Sequence, residues 1–119
     1  MGYRSEVAIV IRNKDFSALV AKSKSECEEA YYLLKNEVIR QNDKHTTLHF
    51  DYVKWYQDDT DVQFIENFID DISHIFKRIG EDHDDIEERS NDADYEMYEC
   101  VSFVRSLNTD CAGEEIKIE

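Results

Sequence analysis

Side chains in residues 3–12 follow the two-residue period of a β-strand, with Val7, Ile9 and Ile11 on one predicted face. Residues 7–11 are apolar without interruption, so both faces of this strand are expected to be covered in the centre of a sheet. The period becomes helical after Asn13, which can cap a helix, and Phe16 and Leu19 share one side of that helix.

Ser25 begins the S-x-x-E pattern of a capping box, which predicts that a second helix starts there. The apolar stripe of this helix continues through Val38, so the helix is expected to reach about residue 40. The polar run 22–25 is expected to interrupt the helical region. The pattern leaves open whether residues 14–40 form one kinked helix or two.

Residues 46–56 have the composition of a second strand, with Leu48 and Phe50 on one face. Strict alternation places Val53 and Trp55 on the opposite face, where no predicted helix covers them. We therefore expect Trp55 to be available for a partner or for a second copy of the chain.

The helical period returns at Val62 and ends near Ser73, and residues 75–79 then form a short strand that runs into Gly80. Residues 81–94 are predicted to be a loop, and 94–107 a last strand. The resulting order is β-α-β-α-β-β. It predicts a single α+β (or α/β) sandwich domain over residues 1–108, with a small mixed sheet, helices on one face, and a loose tail at 109–119.

Charge is the strongest compositional signal: 28 Asp and Glu against 14 Lys and Arg give 14 − 28 = −14 over 119 residues. Six of the eight residues 81–88 are acidic. Nucleic-acid binding needs a basic surface, and the cytoplasmic face of a membrane is anionic, so the charge argues against both as direct partners. The aromatic content of 12% favours a folded chain over an acidic disordered one.

The acidic side chains are the candidate partner-binding residues, because a fixed array of carboxylates attracts a basic protein surface. The first patch comprises Glu81, Asp82, Asp84, Asp85, Glu87 and Glu88. The second patch comprises Asp58, Asp59, Asp61, Glu66, Asp70 and Asp71, with Trp55 as an aromatic neighbour.

Metal and cofactor sites are not indicated by any motif. An EF-hand loop that began at Asp82 would require Gly at its sixth position and Glu at its twelfth. These positions hold Glu87 and Ala93 instead, so the pattern fails. A solvated loop is the simpler interpretation, and binding of a divalent cation to residues 81–88 stays open. The four His residues form no HxH or HExxH pair and are expected to be exposed, with His83 as a candidate pH sensor.

Catalytic motifs are also missing from the sequence: there is no G-x-S-x-G and no glycine-rich phosphate loop. Cys27 and Cys100 fall on apolar positions and are expected to be buried thiols. Three widely spaced cysteines indicate a reducing compartment, and the first residues lack the features of a secretory leader. We therefore expect a cytoplasmic protein that is not an enzyme.

Two stretches resemble a group of small, acidic proteins encoded by bacteriophages and prophages. They are Met-Gly-Tyr-Arg-Ser-Glu-Val at residues 1–7, and Arg-Ile-Gly-Glu-Asp at 78–82 followed by Asp-Ile-Glu-Glu at 85–88. The resemblance implies an inhibitor of host defence, since anti-CRISPR and anti-restriction proteins of this kind are often compact, acidic and non-enzymatic. Some of them resemble DNA in charge layout.

The leading hypothesis is accordingly a phage-derived protein that blocks a nucleic-acid-handling host complex through that complex's basic surface, by an anti-CRISPR-like mechanism. The alternative is a phage interaction module or homodimeric accessory protein, in which the acidity serves only solubility.

Overall fold

The computed structural model describes residues 2–82, 84–103 and 107–118. The strands are β1 Ser5–Arg12, β2 Val38–Gln41, β3 His45–Val53, β4 His74–Gly80, β5 Ile86–Asn91, β6 Ser102–Phe103, β7 Leu107–Asn108 and β8 Glu114–Ile116. The helices are α1 Asn13–Glu26, α2 Glu28–Lys35, α3 Thr60–Asp70 and α4 Tyr95–Tyr98, with a 3₁₀ turn at Asp110–Ala112.

Six strands form the main sheet in the order β5-β4-β1-β3-β2-β8, and β6 and β7 form a separate two-stranded ribbon. The α+β class predicted from the sequence is therefore confirmed. Every pairing in the main sheet is antiparallel, whereas a mixed sheet was expected. The reason is that β2–β3 and β4–β5 are hairpins, and α3 connects two strands that both lie antiparallel to β1.

Helices α1, α2 and α3 cover one face of the sheet, as predicted. The core there joins the odd-numbered residues of β1 to the apolar sides of the helices, represented by Ile9, Leu19, Leu34, Ile65 and Ile69. All five of these side chains are fully buried. The 3.6-residue spacing of the apolar positions is what aligns them with the sheet.

The C-terminal segment covers the other face. Ala8 and Val10 of β1 pack there with Met97, Cys100 and Leu107. The segment 109–119 was expected to be a loose tail, but β8 pairs with β2 through Ile39 opposite Ile116. The difference has a physical reason: Ile116 and Ile118 of this segment pack against the core on the helix side of the sheet, and Ala112 is buried in the cluster on the other side.

The helical region divides into two helices at Cys27, whose extended backbone (φ −147°, ψ 92°) separates α1 from α2. The predicted capping box is wrong, because Ser25 belongs to α1 and its hydroxyl donates to the carbonyl of Lys22 at 3.2 Å. The predicted end near residue 40 is also wrong. Val38 begins β2, and Ile39 is buried in the sheet opposite Leu48.

The acidic segment holds a strand that the pattern did not reveal. Strand β5 has no apolar alternation, and it is specified by its pairing with β4, where Lys77 lies opposite Glu88 and Arg78 opposite Glu87. The predicted last strand at 94–107 begins with α4 instead, because the Asp94 side chain accepts a hydrogen bond from the Met97 amide at 3.0 Å and caps a helical turn.

A β-bulge in β3 changes the face on which Trp55 lies. Ser5 pairs with Val53 but Val7 pairs with Phe50, so β3 carries one extra residue, and Tyr52 within it has φ +59°. A one-residue shift moves all later side chains to the opposite face. Trp55 consequently packs against Phe50 in the core and is 7% exposed, which corrects its prediction as a surface residue.

No helix in the described part of the chain is long and apolar enough to cross a membrane.

The pairing of β8 with β2 can be tested at Gly113, which has φ +106°. A Cβ at this position would collide with the Gln41 carbonyl at the end of β2. Gly113→Ala is expected to lower the free energy of unfolding by about 1–3 kcal/mol, measured in urea, because backbone strain of this kind costs that much. Glu114→Ala, at an exposed position of β8, is the control. Equal stability of the two variants would show that the tail does not belong to the fold.

Candidate partner-binding site

The acidic segment forms the turn and second strand of the β4–β5 hairpin. Its last strand pair is Ile79 opposite Ile86. The turn between the strands is closed by backbone hydrogen bonds, from the Gly80 amide to the Asp85 carbonyl (2.8 Å) and from the Asp85 amide to the Asp82 carbonyl (3.0 Å). These hydrogen bonds hold the backbones of Asp82 and Asp85 at the end of the hairpin.

Tyr3 fixes this turn to the start of the chain. Its hydroxyl donates to Asp85 Oδ2 (2.6 Å) and accepts from the Asp82 amide (3.0 Å). The Asp82 amide acts to lower the pKa of Tyr3, but the hydrogen bond to the Asp85 carboxylate and partial burial outweigh it, so the pKa is raised. A Cβ on Gly80 would collide with both the Tyr3 hydroxyl and the Asp85 carboxylate, which explains a glycine at this strand end.

Arg78 supplies the central cation of the hairpin. Its guanidinium holds Asp85 through two bonds, Nη2 to Oδ1 (2.8 Å) and Nη1 to Oδ2 (3.1 Å). The same guanidinium donates to Glu87 Oε1 (3.1 Å) and to the Ser5 hydroxyl (3.0 Å). Arg78 and, to a smaller extent, Tyr3 lower the pKa of Asp85 below its usual value. Two-bond arginine–carboxylate pairs are among the stronger polar contacts in proteins.

Arg89 connects the two predicted acidic patches. It contacts Glu87 Oε2 at 3.0 Å and Glu66 Oε1 at 2.7 Å, so it bridges a carboxylate of the hairpin and one of α3. Its guanidinium lies over the Phe76 ring, 4.1 Å from the centroid. Glu66 also accepts a hydrogen bond from the indole of Trp55 at 2.8 Å, which links these ion pairs to the core.

The six carboxylates of the first patch therefore fall into two groups. Asp85 and Glu87 are half-buried and bound to arginines, so they hold the hairpin in place. The tip residues Glu81, Asp82 and Asp84 are exposed, although Glu81 also accepts a hydrogen bond from the Arg4 amide. Glu88 is exposed on β5 and pairs with Lys77 at 3.3 Å.

The second patch is less concentrated. Asp58, Asp70 and Asp71 are exposed, whereas Asp59 and Asp61 are half-buried where α3 begins. Glu66 and Asp70 line a shallow groove of about 230 Å³ along α3. Glu66 is engaged by Arg89 and Trp55, so only part of this patch is free to meet a partner. Trp55 is buried and does not belong to the surface.

One exposed surface has no counterpart in the sequence predictions. Tyr95 is 79% exposed, Tyr98 44% and Ile86 56%. The tyrosines lie three residues apart on α4, and the Tyr98 hydroxyl donates to the Ser90 hydroxyl of β5 at 3.2 Å. The signal in the sequence was a pair of tyrosines three residues apart, directly after Asp94, a residue type that caps helices. The prediction of a strand at 94–107 hid this signal.

A half-buried polar network ties the C-terminal segment to the sheet. Glu6 Oε2 contacts His49 Nε2 at 2.6 Å, and His49 Nδ1 contacts the Thr109 hydroxyl at 3.1 Å. A carboxylate, an imidazole and a hydroxyl in series resemble a hydrolytic triad. Here the other Glu6 oxygen, Oε1, accepts a hydrogen bond from the Leu107 amide at 3.2 Å, and Thr109 is only 4% exposed. These contacts favour a structural role, in which the network holds the C-terminal segment, over a catalytic one.

The three histidines that the structure describes, His45, His49 and His74, are not exposed as was expected. His45 is buried with its Nε2 3.4 Å from Asp94, and buried His74 contacts the Ile72 carbonyl at 3.0 Å. His83, the candidate pH sensor, lies outside the described residues. Over residues 2–82, 84–103 and 107–118, no three His, Cys, Asp or Glu side chains are grouped to hold a metal ion.

The cysteines differ in exposure. Cys27 and Cys100 are buried, as predicted, and Cys111 is exposed. Burial raises the pKa of the Cys100 thiol, which favours its protonated form.

Removal of the Tyr3 hydroxyl should loosen the turn. In Tyr3→Phe, the Asp82 amide loses its acceptor and Asp85 loses a donor. We expect hydrogen exchange at the turn amides, measured by NMR at constant pH, to become about tenfold faster. Tyr32→Phe on α2 is the control because that side chain is exposed. Unchanged exchange at Asp85 would contradict a fixing role for Tyr3.

Lowering the pH should release the same turn, because protonation of Asp85 removes its ion pair with Arg78. The folded-state pKa of Asp85 is lowered from its ordinary 3.8, so the stabilisation is present above about pH 4 and is lost as the pH falls through the lowered value. An NMR titration from pH 6 to 2 should show the Asp85 carboxyl carbon and the turn amides changing together below pH 4. In Asp85→Asn this coupled step should disappear. A midpoint above pH 4 would refute the proposed Arg78–Asp85 stabilisation.

The chain has no significant match among protein-family models, curated protein sequences or solved structures.

Proposed function

We propose that this protein is a phage-derived inhibitory binding protein of the anti-CRISPR type, acting in the bacterial cytoplasm. Its carboxylates would occupy a Lys/Arg-lined channel in a host complex that handles nucleic acid, and would thereby exclude the nucleic acid from that channel. The mode of inhibition is mimicry of the charge of DNA.

Net charge supplies the long-range part of this proposal. A chain of charge −14 is attracted toward a basic channel and is repelled by nucleic acid and anionic membranes. Charge complementarity raises the rate of encounter and suppresses wrong partners. A basic channel also carries bound counter-anions, and their release would favour the complex at low salt.

The observation that carries the proposal is the way in which the hairpin is held. Arg78 and Tyr3 fix Asp85, and the turn that Asp85 closes displays Asp82 and Asp84 to solvent. A surface that is ordered before binding loses less conformational entropy when it binds. Acidity that served only solubility would not need these contacts, so the hydrogen bonds that hold Asp82 and Asp85 favour a recognition surface over the alternative of a generic acidic module.

The direct experiment is a competition assay. The purified protein is titrated into CRISPR effector complexes with and without competitor DNA, and binding is followed by biolayer interferometry at several salt concentrations. We expect binding that DNA reduces and that weakens steeply as salt rises, because the contacts are between charges. Absence of binding to every such complex, together with no protection of phage, would remove the proposal.

Charge reversal at the tip is the sharper version of this experiment. Asp82→Lys/Asp84→Lys should weaken the complex on the order of a hundredfold, since like charges placed together at an interface cost several kcal/mol. Glu28→Lys/Glu29→Lys makes the same change of charge on exposed positions of α2 and should have a much smaller effect. Equal losses in the two variants would mean that only net charge matters, and undiminished inhibition would exclude the hairpin tip.

A further inference from the structure

A second anionic surface adjoins the hairpin and differs from it in chemistry. We call it the aromatic–acidic strip and define it as Ile86 and Glu88 of β5 together with Asp92, Tyr95, Tyr98 and Glu99. All six side chains are exposed. The hydrogen bond between Tyr98 and Ser90 joins the α4 part of the strip to the β5 part.

The strip is held from beneath. Met97 is fully buried and Cys100 is 2% exposed, so the inner side of α4 is anchored in the core. Asp94 caps the turn through the Met97 amide and contacts buried His45 at 3.4 Å. The two exposed tyrosines therefore lie on a helical turn whose other side is anchored in the core.

The chain segment that carries the two rings has charges of one sign. Residues 92–99 contain four carboxylates and no base. Within the described residues, no ion pair involves Asp92 or Glu99, although Asp92 Oδ2 accepts a hydrogen bond from the Ser73 hydroxyl at 3.2 Å. Glu96 pairs with Lys44 and Glu88 with Lys77. Exposed aromatic rings near exposed carboxylates complement arginine, because the guanidinium can stack on a ring while its N–H groups bind a carboxylate.

We propose that the aromatic–acidic strip docks an arginine-rich segment of a protein partner. This inference rests on the proposed function and deepens it by assigning separate tasks to the two surfaces. The exposed carboxylates of the hairpin tip raise the rate of association, and the strip retains the partner through ring contacts. Aromatic residues and arginine are the residue types that most often dominate binding energy.

A second copy of the chain fits this surface less well. Two chains would bring a net charge of −14 against another −14, and the strip would place carboxylates of one copy against those of the other. The exposed edge of β5 also carries Glu87 and Glu88 in succession, a pattern that discourages edge-to-edge pairing.

The test uses nona-arginine and nona-lysine peptides at 150 mM salt, so that it does not depend on any host complex. Nona-arginine should bind more tightly than nona-lysine, although the charges are equal, and should shift the NMR signals of Tyr95 and Tyr98. Tyr95→Ala/Tyr98→Ala should weaken nona-arginine binding about tenfold, mainly through faster dissociation. Tyr95→Phe/Tyr98→Phe should retain the affinity, because the ring is kept.

Tyr32→Ala, at a 53%-exposed position on α2, is the matched control and should bind nona-arginine as the unaltered protein does. Tyr95→Ala alone guards against a folding defect, since this side chain is 79% exposed. The proposal is overturned if the double alanine variant binds nona-arginine unchanged or if the shifts map only to the hairpin tip. It is also overturned if sedimentation shows a dimer that Tyr95→Ala/Tyr98→Ala converts to a monomer.

The two proposals fail separately. Peptide binding at the strip without binding to any effector complex would refute the proposed function and leave the strip established. Effector binding that Tyr95→Ala/Tyr98→Ala does not change would refute the strip and leave the proposed function intact.

Discussion

Strand β1 is buried on both faces, and residues 7–11 have no exposed surface. A strand of this kind cannot lie on a half-covered sheet, because one of its apolar faces would remain in water. Helices α1, α2 and α3 cover the face that carries Ile9, and the C-terminal segment covers the face that carries Ala8 and Val10. The second covering layer brings α4 beside β5 and creates the surface on which Tyr95 and Tyr98 are displayed.

The core and the charged surface are connected through a few residues. The bulge at Tyr52 turns Trp55 inward, and the indole of Trp55 donates to Glu66. Glu66 binds Arg89, which contacts Glu87 of the hairpin in turn. Buried or half-buried ion pairs need several partners to offset desolvation, and this chain of contacts supplies them. The orientation of the hairpin is therefore coupled to packing beneath it.

The ion pairs of the hairpin divide the acidic side chains into those that brace the fold and those that face solvent. The arginines of the hairpin are engaged with Asp85, Glu87 and Glu66, so they position the backbone and leave the carboxylates at the tip exposed. The carboxylates near α4 stand beside exposed rings instead. A partner with a basic surface would thus meet two kinds of interaction. The carboxylates of the hairpin tip attract it over a long range, and the exposed rings bind it by direct contact. Such a division matches the general separation between electrostatic association and packed hot spots.

The sequence by itself determined the α+β class, the central strand and the apolar faces of α1 and α3, because these depend on local periodicity. It also determined the acidity of residues 81–88. Tertiary structure alone decided the strands β2, β5 and β8, whose residues carry little alternation and are specified by pairing with neighbours. It likewise decided the burial of Trp55, since one extra residue in β3 reverses the alternation on which the prediction rested. Which carboxylates brace the fold and which face solvent depended on arginines distant in the chain or across a strand pair, and sequence spacing does not encode those distances.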